Sequence, residues 1–259
     1  MFGYVGLSID GTQYTHDFYR HDKNGATTFD RIKKAAELMS EYSIKYNILT
    51  VVNDKVASNI LEIYSYYKEN GWNYQQYIAC LDPLDEKRGE KKYALRQEQY
   101  GKFLIQLFNL WYEDWEKNEQ PYIRQFDNYI AILLGYQPES CEQRGTCGIQ
   151  NVVEADGSVF PCDFYMTDDY YIGNYNYDQT ETIDEKRREI GFVARSTNIS
   201  DECRECKFIK ICRNGCQRCR DKDDITGKYR NYFCESYKMF FDECLDKMEY
   251  IASYIAKKN

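Results

Sequence analysis

The chain has 259 residues, 43% of them hydrophobic and 29% charged, with a net charge of −8. This acidic balance excludes an electrostatic grip on nucleic acid or on an anionic membrane surface. A mean hydropathy of −0.74, with no run of twenty apolar residues, excludes a transmembrane helix, and the start of the chain shows no charged-then-apolar export signal.

The N-terminal half alternates strand and helix patterns. "YVGLSID", Tyr4 to Asp10, is a short apolar run closed by Gly11, as a buried parallel strand would be. "TFDRIKKAAELMSEYS" puts Phe29, Ile32, Ala36 and Met39 on one helical face. "KYNILTVV" (45–52) predicts the next strand, and "SNILEIYSYYKENG" a helix stopped by Gly71. "YQQYIACL" predicts a third strand, ended by Asp82-Pro83. A long helix from about Arg96 to Lys117 carries Phe103, Leu107, Leu110 and Trp111 on its buried face. This βαβαβα order predicts an α/β fold with a parallel sheet, as in part of a (β/α) barrel.

Near Pro138 the character changes, and every cysteine except Cys80 follows. "NVVEADGSVFPCDFY" reads as a β-hairpin with Asp156-Gly157 at the turn. A helical stretch around Glu181 to Ala194 comes next, then a cysteine-dense loop region from Cys203 to Cys219. An amphipathic C-terminal helix is expected from about Cys234 to Lys257. Two regions follow from this change of character, 1–137 and 138–259.

Eleven cysteines stand against two histidines. An odd count without an export signal fits a disulfide framework poorly. Thiolate-rich, histidine-poor sets suit zinc or iron–sulfur clusters. In "CRECKFIKIC" the C-x2-C of Cys203 and Cys206 allows two thiolates to face one centre, with Cys212 six positions on. Two sets of four ligands can be drawn from Cys141, Cys147, Cys162, Cys203, Cys206, Cys212, Cys216 and Cys234. Spacing alone leaves zinc and iron–sulfur both open. Cys80, Cys219 and Cys244 remain over, and Cys80 and Cys244 are expected as small buried hydrophobes. "CRNGCQRC", Cys212 to Cys219, has the C-x3-C-x2-C spacing of a radical S-adenosylmethionine (SAM) cluster motif, but near the wrong end of the chain.

Taken together, C-x5-C, "DGSVFPCDFY", "IGN", C-x2-C-x5-C-x3-C and a last Cys before a helix resemble the SPASM auxiliary-cluster domain. The likeness is to the anaerobic sulfatase-maturating enzymes, and it runs upstream through "GLSIDG", "AAELMSEYSIKYNILTVV", "CLDPL" and "LFNLWYEDW". It implies a radical SAM oxidoreductase that converts a Cys or Ser of a sulfatase polypeptide to Cα-formylglycine. It further implies two auxiliary 4Fe-4S clusters, one on Cys141, Cys147, Cys162 and Cys216, the other on Cys203, Cys206, Cys212 and Cys234. Asp163 matches the family's proton acceptor, although an Asp after a turn is otherwise a backbone-bonding loop residue. Ser8, Arg20 and Leu81 would line the SAM site; without the likeness, Ser8 reads as a cap or turn and Arg20 as a surface ion pair. A protein that donates or accepts electrons and a reducing, cytoplasmic setting are implied as well.

The sequence also departs from the family. The N-terminal C-x3-C-x2-C and the Gly-Gly-Glu segment are absent. "CRNGCQRC" cannot replace the first, because Cys212 and Cys216 would belong to different clusters. The expectation is therefore the C-terminal two-thirds of a maturase, a fragment rather than a split enzyme, inactive alone and binding SAM only when the missing half is supplied. The alternatives are a non-catalytic iron–sulfur module for electron transfer or peptide docking, another SPASM peptide-modifying enzyme, and a zinc-stabilised structural domain.

Overall fold

The computed structural model describes residues 5–84 and 86–258. Tyr4, expected to open the first strand, lies outside them. Internal contacts divide the chain into two units, Met1–Gln137 with Phe233–Asn259, and Pro138–Tyr232.

The first unit runs β1 (Val5–Ser8), α1 (Gln13–Tyr19), α2 (Phe29–Glu41), β2 (Tyr46–Val52), α3 (Asp54–Ser58), α4 (Ile60–Glu69), β3 (Tyr74–Ala79), α5 (Gln97–Glu116), β4 (Tyr122–Ile123) and α6 (Arg124–Leu133). The strands form one parallel sheet in the order β1-β2-β3-β4, with Val5 opposite Tyr46, Ile48 opposite Gln75 and Tyr74 opposite Tyr122. Consecutive parallel strands need a helical crossover, which is why strand and helix patterns alternate along this half. The three expected strands and three expected helices are present. Two short helices, α1 and α3, had no long apolar period to announce them.

β4 is only two residues long, yet the ladder does not stop there. Gln125, buried at the start of α6, accepts from the Tyr77 N–H and donates to the Tyr77 carbonyl. Its side-chain amide thus stands in for a further strand residue and satisfies both main-chain groups.

The core of this unit is aromatic. Phe108 of α5 meets Phe126 of α6 edge-on at 5.1 Å, and both meet Phe240 of the C-terminal helix, Cys234–Lys258, at 5.9 and 6.0 Å. Such pairs add about 0.5–1.5 kcal/mol each beyond the area they bury. Leu110, expected on the buried face of α5, is only half-buried; Leu104 and Phe108 take its place. The C-terminal helix packs on α5 and α6. The cysteine-rich region expected over 138–259 therefore ends in a helix whose packing partners lie in the first unit.

The second unit contains α7 (Cys141–Arg144), β5 (Val152–Val153), β6 (Ser158–Phe160), β7 (Gly173–Asn174), α8 (Thr180–Glu189), α9 (Phe192–Ser196), α10 (Asp201–Glu205), α11 (Ile209–Cys212), β8 (Arg220–Lys222) and β9 (Tyr229–Asn231). The expected hairpin forms between β5 and β6, and β7 adds a third antiparallel strand. The single helix expected near 181–194 is two helices, because Gly191 takes φ +64° and ends the first. Apolar filling is sparse here: a small cluster of Val159, Ile172 and Ile183 packs under the sheet. Polar ties do much of the holding in such a region.

Candidate iron–sulfur and substrate site

In the first unit, β1, β2 and β3 end along one edge of the sheet, the edge where α/β folds place ligand contacts. Ser8 is the last residue of β1 and is half-buried. Leu81 lies two positions past β3 and is also half-buried. β2 runs between their strands. Arg20 follows α1, and its Nε donates to Asp10 Oδ2 at 2.6 Å while Nη2 lies 3.3 Å from Oδ1. Asp10 is buried and also accepts from the Val51 N–H at 2.8 Å. Arg20 is thus paired in this structure, but with a buried carboxylate rather than at the surface.

The "SIDG" turn is built around Tyr67 of α4. Its buried hydroxyl donates to the Ile9 carbonyl at 2.8 Å and accepts from the Gly11 N–H at 2.9 Å. Gly11 has φ +88°, and a Cβ there would come within 2.4 Å of Thr15 Oγ1. Glycine is needed on both counts. His16, fully buried, accepts from the Asp10 N–H through Nδ1 at 3.1 Å, and burial lowers its pKa against the pull of Asp10. After Leu81, buried Asp82 accepts from Gly89 and Lys91 N–H groups at 2.7 and 2.8 Å. Burial disfavours its charge, but those backbone donors hold the carboxyl below its ordinary range. Tyr67 and His16 gave no motif and only their burial reveals them, while Asp82 lies in the "CLDPL" stretch without its role being legible there.

In the second unit the thiols gather. Cys147 interacts electrostatically with Cys216 and Cys141, and Cys162 with Cys216. One neighbourhood thus holds four cysteines that the sequence scatters from α7 to the segment before β8. Burial pushes the Cys147 thiol up to about 11, with its thiol neighbours adding to the effect. Burial likewise pushes Cys162 well above the ordinary thiol range. Cys216 is lowered, because the Cys219 thiol hydrogen-bonds to it; burial opposes this. The same hydrogen bond, with burial, raises the Cys219 thiol well above the ordinary range. Cys219 is therefore a buried donor to Cys216, a role the spacing did not suggest.

These thiols are where a thiolate-ligated group would have to displace protons, so binding is coupled to pH and to folding. Among the described residues, no three His, Cys, Asp or Glu side chains close in as around a single ion. A 4Fe-4S cluster takes one thiolate per iron corner and needs a wider set than a zinc site does. The four-cysteine neighbourhood has the donor chemistry and number for such a cluster.

Asp163 sits at the rim of this neighbourhood. It is exposed, opens the turn Asp163–Tyr165, and its Oδ1 lies 3.2 Å from Cys162 Sγ. Cys203, Cys206 and Cys212 lie on and between α10 and α11. Ser200 caps α10 by accepting from the Cys203 N–H, and Cys203 Sγ approaches Asn214 Oδ1 at 3.6 Å. Of the cysteines left over, Cys244 is fully buried and Cys80 half-buried.

The stretch between Cys212 and Cys216 has an unusual backbone. Arg213, Asn214 and Gly215 all have positive φ, at 50°, 65° and 59°. Left-handed residues cost about 1–2 kcal/mol each when not glycine. Asn214 offsets this through its hydrogen bonds: its Oδ1 accepts from the Asn231 N–H at 2.8 Å and its Nδ2 donates to the Tyr229 carbonyl at 3.1 Å. "CRNGCQRC" is thus a left-handed turn followed by a thiol–thiol contact.

A parallel α/β sheet with a ligand-type edge is joined in one chain to a thiol-rich region suited to a thiolate-held metal centre. The SPASM profile, an iron-sulfur cluster-binding domain, matches residues 141–207. The chain is 40% identical to a cysteine-type anaerobic sulfatase-maturating enzyme of Clostridium perfringens, over 97% of this chain and 68% of the relative. It is 28% identical to a serine-type enzyme of Bacteroides thetaiotaomicron, over 95% of this chain and 63% of that one. A solved structure described as native anSMEcpe with bound AdoMet and a peptide superposes with a TM-score of 0.89 at 40% identity, covering 96% of this chain and 69% of that one. The chain belongs to the anaerobic sulfatase-maturating enzyme family, and it corresponds to a C-terminal part of such a maturase. No helix among the described residues is long and apolar enough to cross a membrane.

Proposed function

We propose that this chain carries the auxiliary clusters and the proton acceptor of a maturase that oxidises a sulfatase Cys or Ser to Cα-formylglycine. The observation that supports this best is the shared neighbourhood of Cys141, Cys147, Cys162 and Cys216, with exposed Asp163 at its rim. These four are assigned to a first 4Fe-4S cluster. Cys203, Cys206 and Cys212, with Cys234 by its position in the sequence, are assigned to a second. When bound, such clusters supply one-electron redox capacity close to the substrate.

The chain's own part in the chemistry is proton handling and placement. Once a hydrogen atom has left the substrate Cβ, a proton and an electron must also leave to give the thioaldehyde or aldehyde. Asp163 takes the proton: ligation removes the Cys162 thiol proton, and the carboxylate Oδ1 is then free for the substrate S–H or O–H. Ser8, Arg20 and Leu81 are assigned to SAM, at the strand-end edge of the sheet. Arg20 would turn its guanidinium, now on Asp10, toward a carboxylate, which it fits as a fork. The sulfatase polypeptide is the partner, and a redox protein accepts the electrons.

Anaerobic reconstitution with iron and sulfide tests the reading. A brown chain with about eight irons, from two four-cysteine sets, is the expected product. A colourless chain holding about two zincs instead would sink it.

A further inference from the structure

Arg220, the first residue of β8, is buried at 6% exposure. Its described partners are four main-chain carbonyls. Nε donates to Asn214 at 3.0 Å, Nη1 to Ser196 at 2.5 Å, and Nη2 to Gly145 at 2.8 Å and Gly215 at 2.5 Å. Each of these carbonyls belongs to a segment that positions cysteine. Gly145 lies between Cys141 and Cys147. The Ser196 Oγ accepts from the Cys147 N–H at 2.9 Å. Asn214 and Gly215 form the left-handed turn between Cys212 and Cys216.

Carbonyls accept hydrogen bonds but carry no net charge. The guanidinium charge is therefore left to act on the thiols of Cys147, Cys216, Cys219 and Cys203, all close enough to interact with it electrostatically. Burying a cation against neutral acceptors is costly, and a folded chain keeps such a group where an anion is to be faced. A four-thiolate iron–sulfur site is such an anion, and local charge is one of the factors that set its potential.

We propose that Arg220 is the positioning residue of this unit, a fixed buried cation that sets the reduction potential of the cluster held by Cys141, Cys147, Cys162 and Cys216. The proposal rests on the cluster reading above. Removing the charge makes the cluster harder to reduce.

The test uses the full chain reconstituted anaerobically, as wild type, Arg220→Gln and Arg220→Lys. Iron and sulfide are counted, and the reduced fraction is followed by EPR in a potentiometric titration. In Arg220→Gln the reduced-to-oxidised ratio at fixed potential should fall at least tenfold, about 59 mV for one electron. Arg220→Lys, which keeps the charge but not the fork, should stay within about threefold of wild type, or about 30 mV by the same constant.

An unchanged ratio in a fully loaded Arg220→Gln overturns the proposal, and so does a Lys variant displaced as far as the Gln one. If the Gln variant takes up no iron, the Lys variant decides alone by the same threefold limit. Two iron-free variants also overturn the proposal, since the residue then serves folding only. A wild-type chain that takes up no iron–sulfur cluster is a different result: it removes the parent reading itself.

Discussion

A methyl group at Gly145 would come within 2.0 Å of the carbonyl oxygen of Arg213. Gly145 caps α7 with φ +69°, between Cys141 and Cys147, while Arg213 follows Cys212. Two cysteine-bearing loops thus touch backbone to backbone, with no room for a side chain. Gly145→Ala meets both the left-handed penalty of about 1–2 kcal/mol and a contact that only backbone movement can relieve. The expected outcome is a chain that retains the parallel-sheet unit but takes up less than half the wild-type iron. Iron analysis beside far-UV circular dichroism checks it; full iron uptake would show that the loops separate freely.

Asp163 and Cys162 give a second prediction. Asp163→Asn keeps the size and a hydrogen-bonding oxygen but cannot take a proton. In a maturase completed with its N-terminal part, formylglycine formation should fall about 10²–10⁴-fold, the usual worth of a general base. Iron content should stay at the wild-type level, because Asp163 is exposed and lies outside both proposed cysteine sets. Mass spectrometry of a sulfatase-derived peptide reads the product. Activity within threefold of wild type would remove Asp163 from the chemistry.

Asp127, in the first turn of α6, carries a pH prediction. Burial pushes its carboxyl up to about 6 from 3.8, against the hydrogen bond it accepts from the Ile123 N–H. Between those values the folded chain holds a proton that the unfolded chain has released. Stability therefore falls as pH rises from about 4 to about 6, and the loss persists above that. The full linkage is about 3 kcal/mol, reduced to about 1–2 by the part of the group that water reaches. Asp127→Asn should be more stable than wild type at pH 7 by that smaller amount and equally stable at pH 4. Urea titrations at both pH values measure the difference; an unchanged gap between the two proteins would contradict it.

Asp114 closes a polar network within the first unit. It is 5% exposed and accepts from the Tyr64 hydroxyl and the Lys68 ammonium, each at 2.7 Å. Asp114→Ala strands the buried Tyr64 hydroxyl, while Lys68, a third exposed, can turn to water. A loss of about 2–3 kcal/mol is expected, most of it from the hydroxyl. Adding Tyr64→Phe should recover part of that loss. A double mutant no more stable than Asp114→Ala would show that the network is not coupled.

The expected strands and long helices of the first half were legible because apolar spacing reports which face of an element is covered, and each of these elements covers one face. Leu110 was misplaced on α5 for the same reason: the stripe is wide, and spacing alone does not say where its edge lies. The cysteine spacing marked the thiols, because short spacings are local to the chain; Asp163 was singled out only by the likeness of "PCDFY" to the family, since an Asp after a turn is otherwise a loop residue. Arg220 was invisible. Its four acceptors come from three segments, two of them 24 and 75 residues away, and nothing in "RCRDK" distinguishes it from a surface arginine.

By itself, then, the sequence determined the alternation of strand and helix, the cysteine-bearing region and the family to which the chain belongs. These are carried by periodicity and by short spacings, which survive without knowledge of the fold. The likeness to the family already implied that Cys141, Cys147, Cys162 and Cys216 belong together; only the tertiary structure decided that Cys219 donates to Cys216 and that the buried guanidinium of Arg220 lies near these thiols. Those facts depend on which loops meet, and loops meet through carbonyls and amides that every residue carries, so their pairing leaves no mark on the sequence.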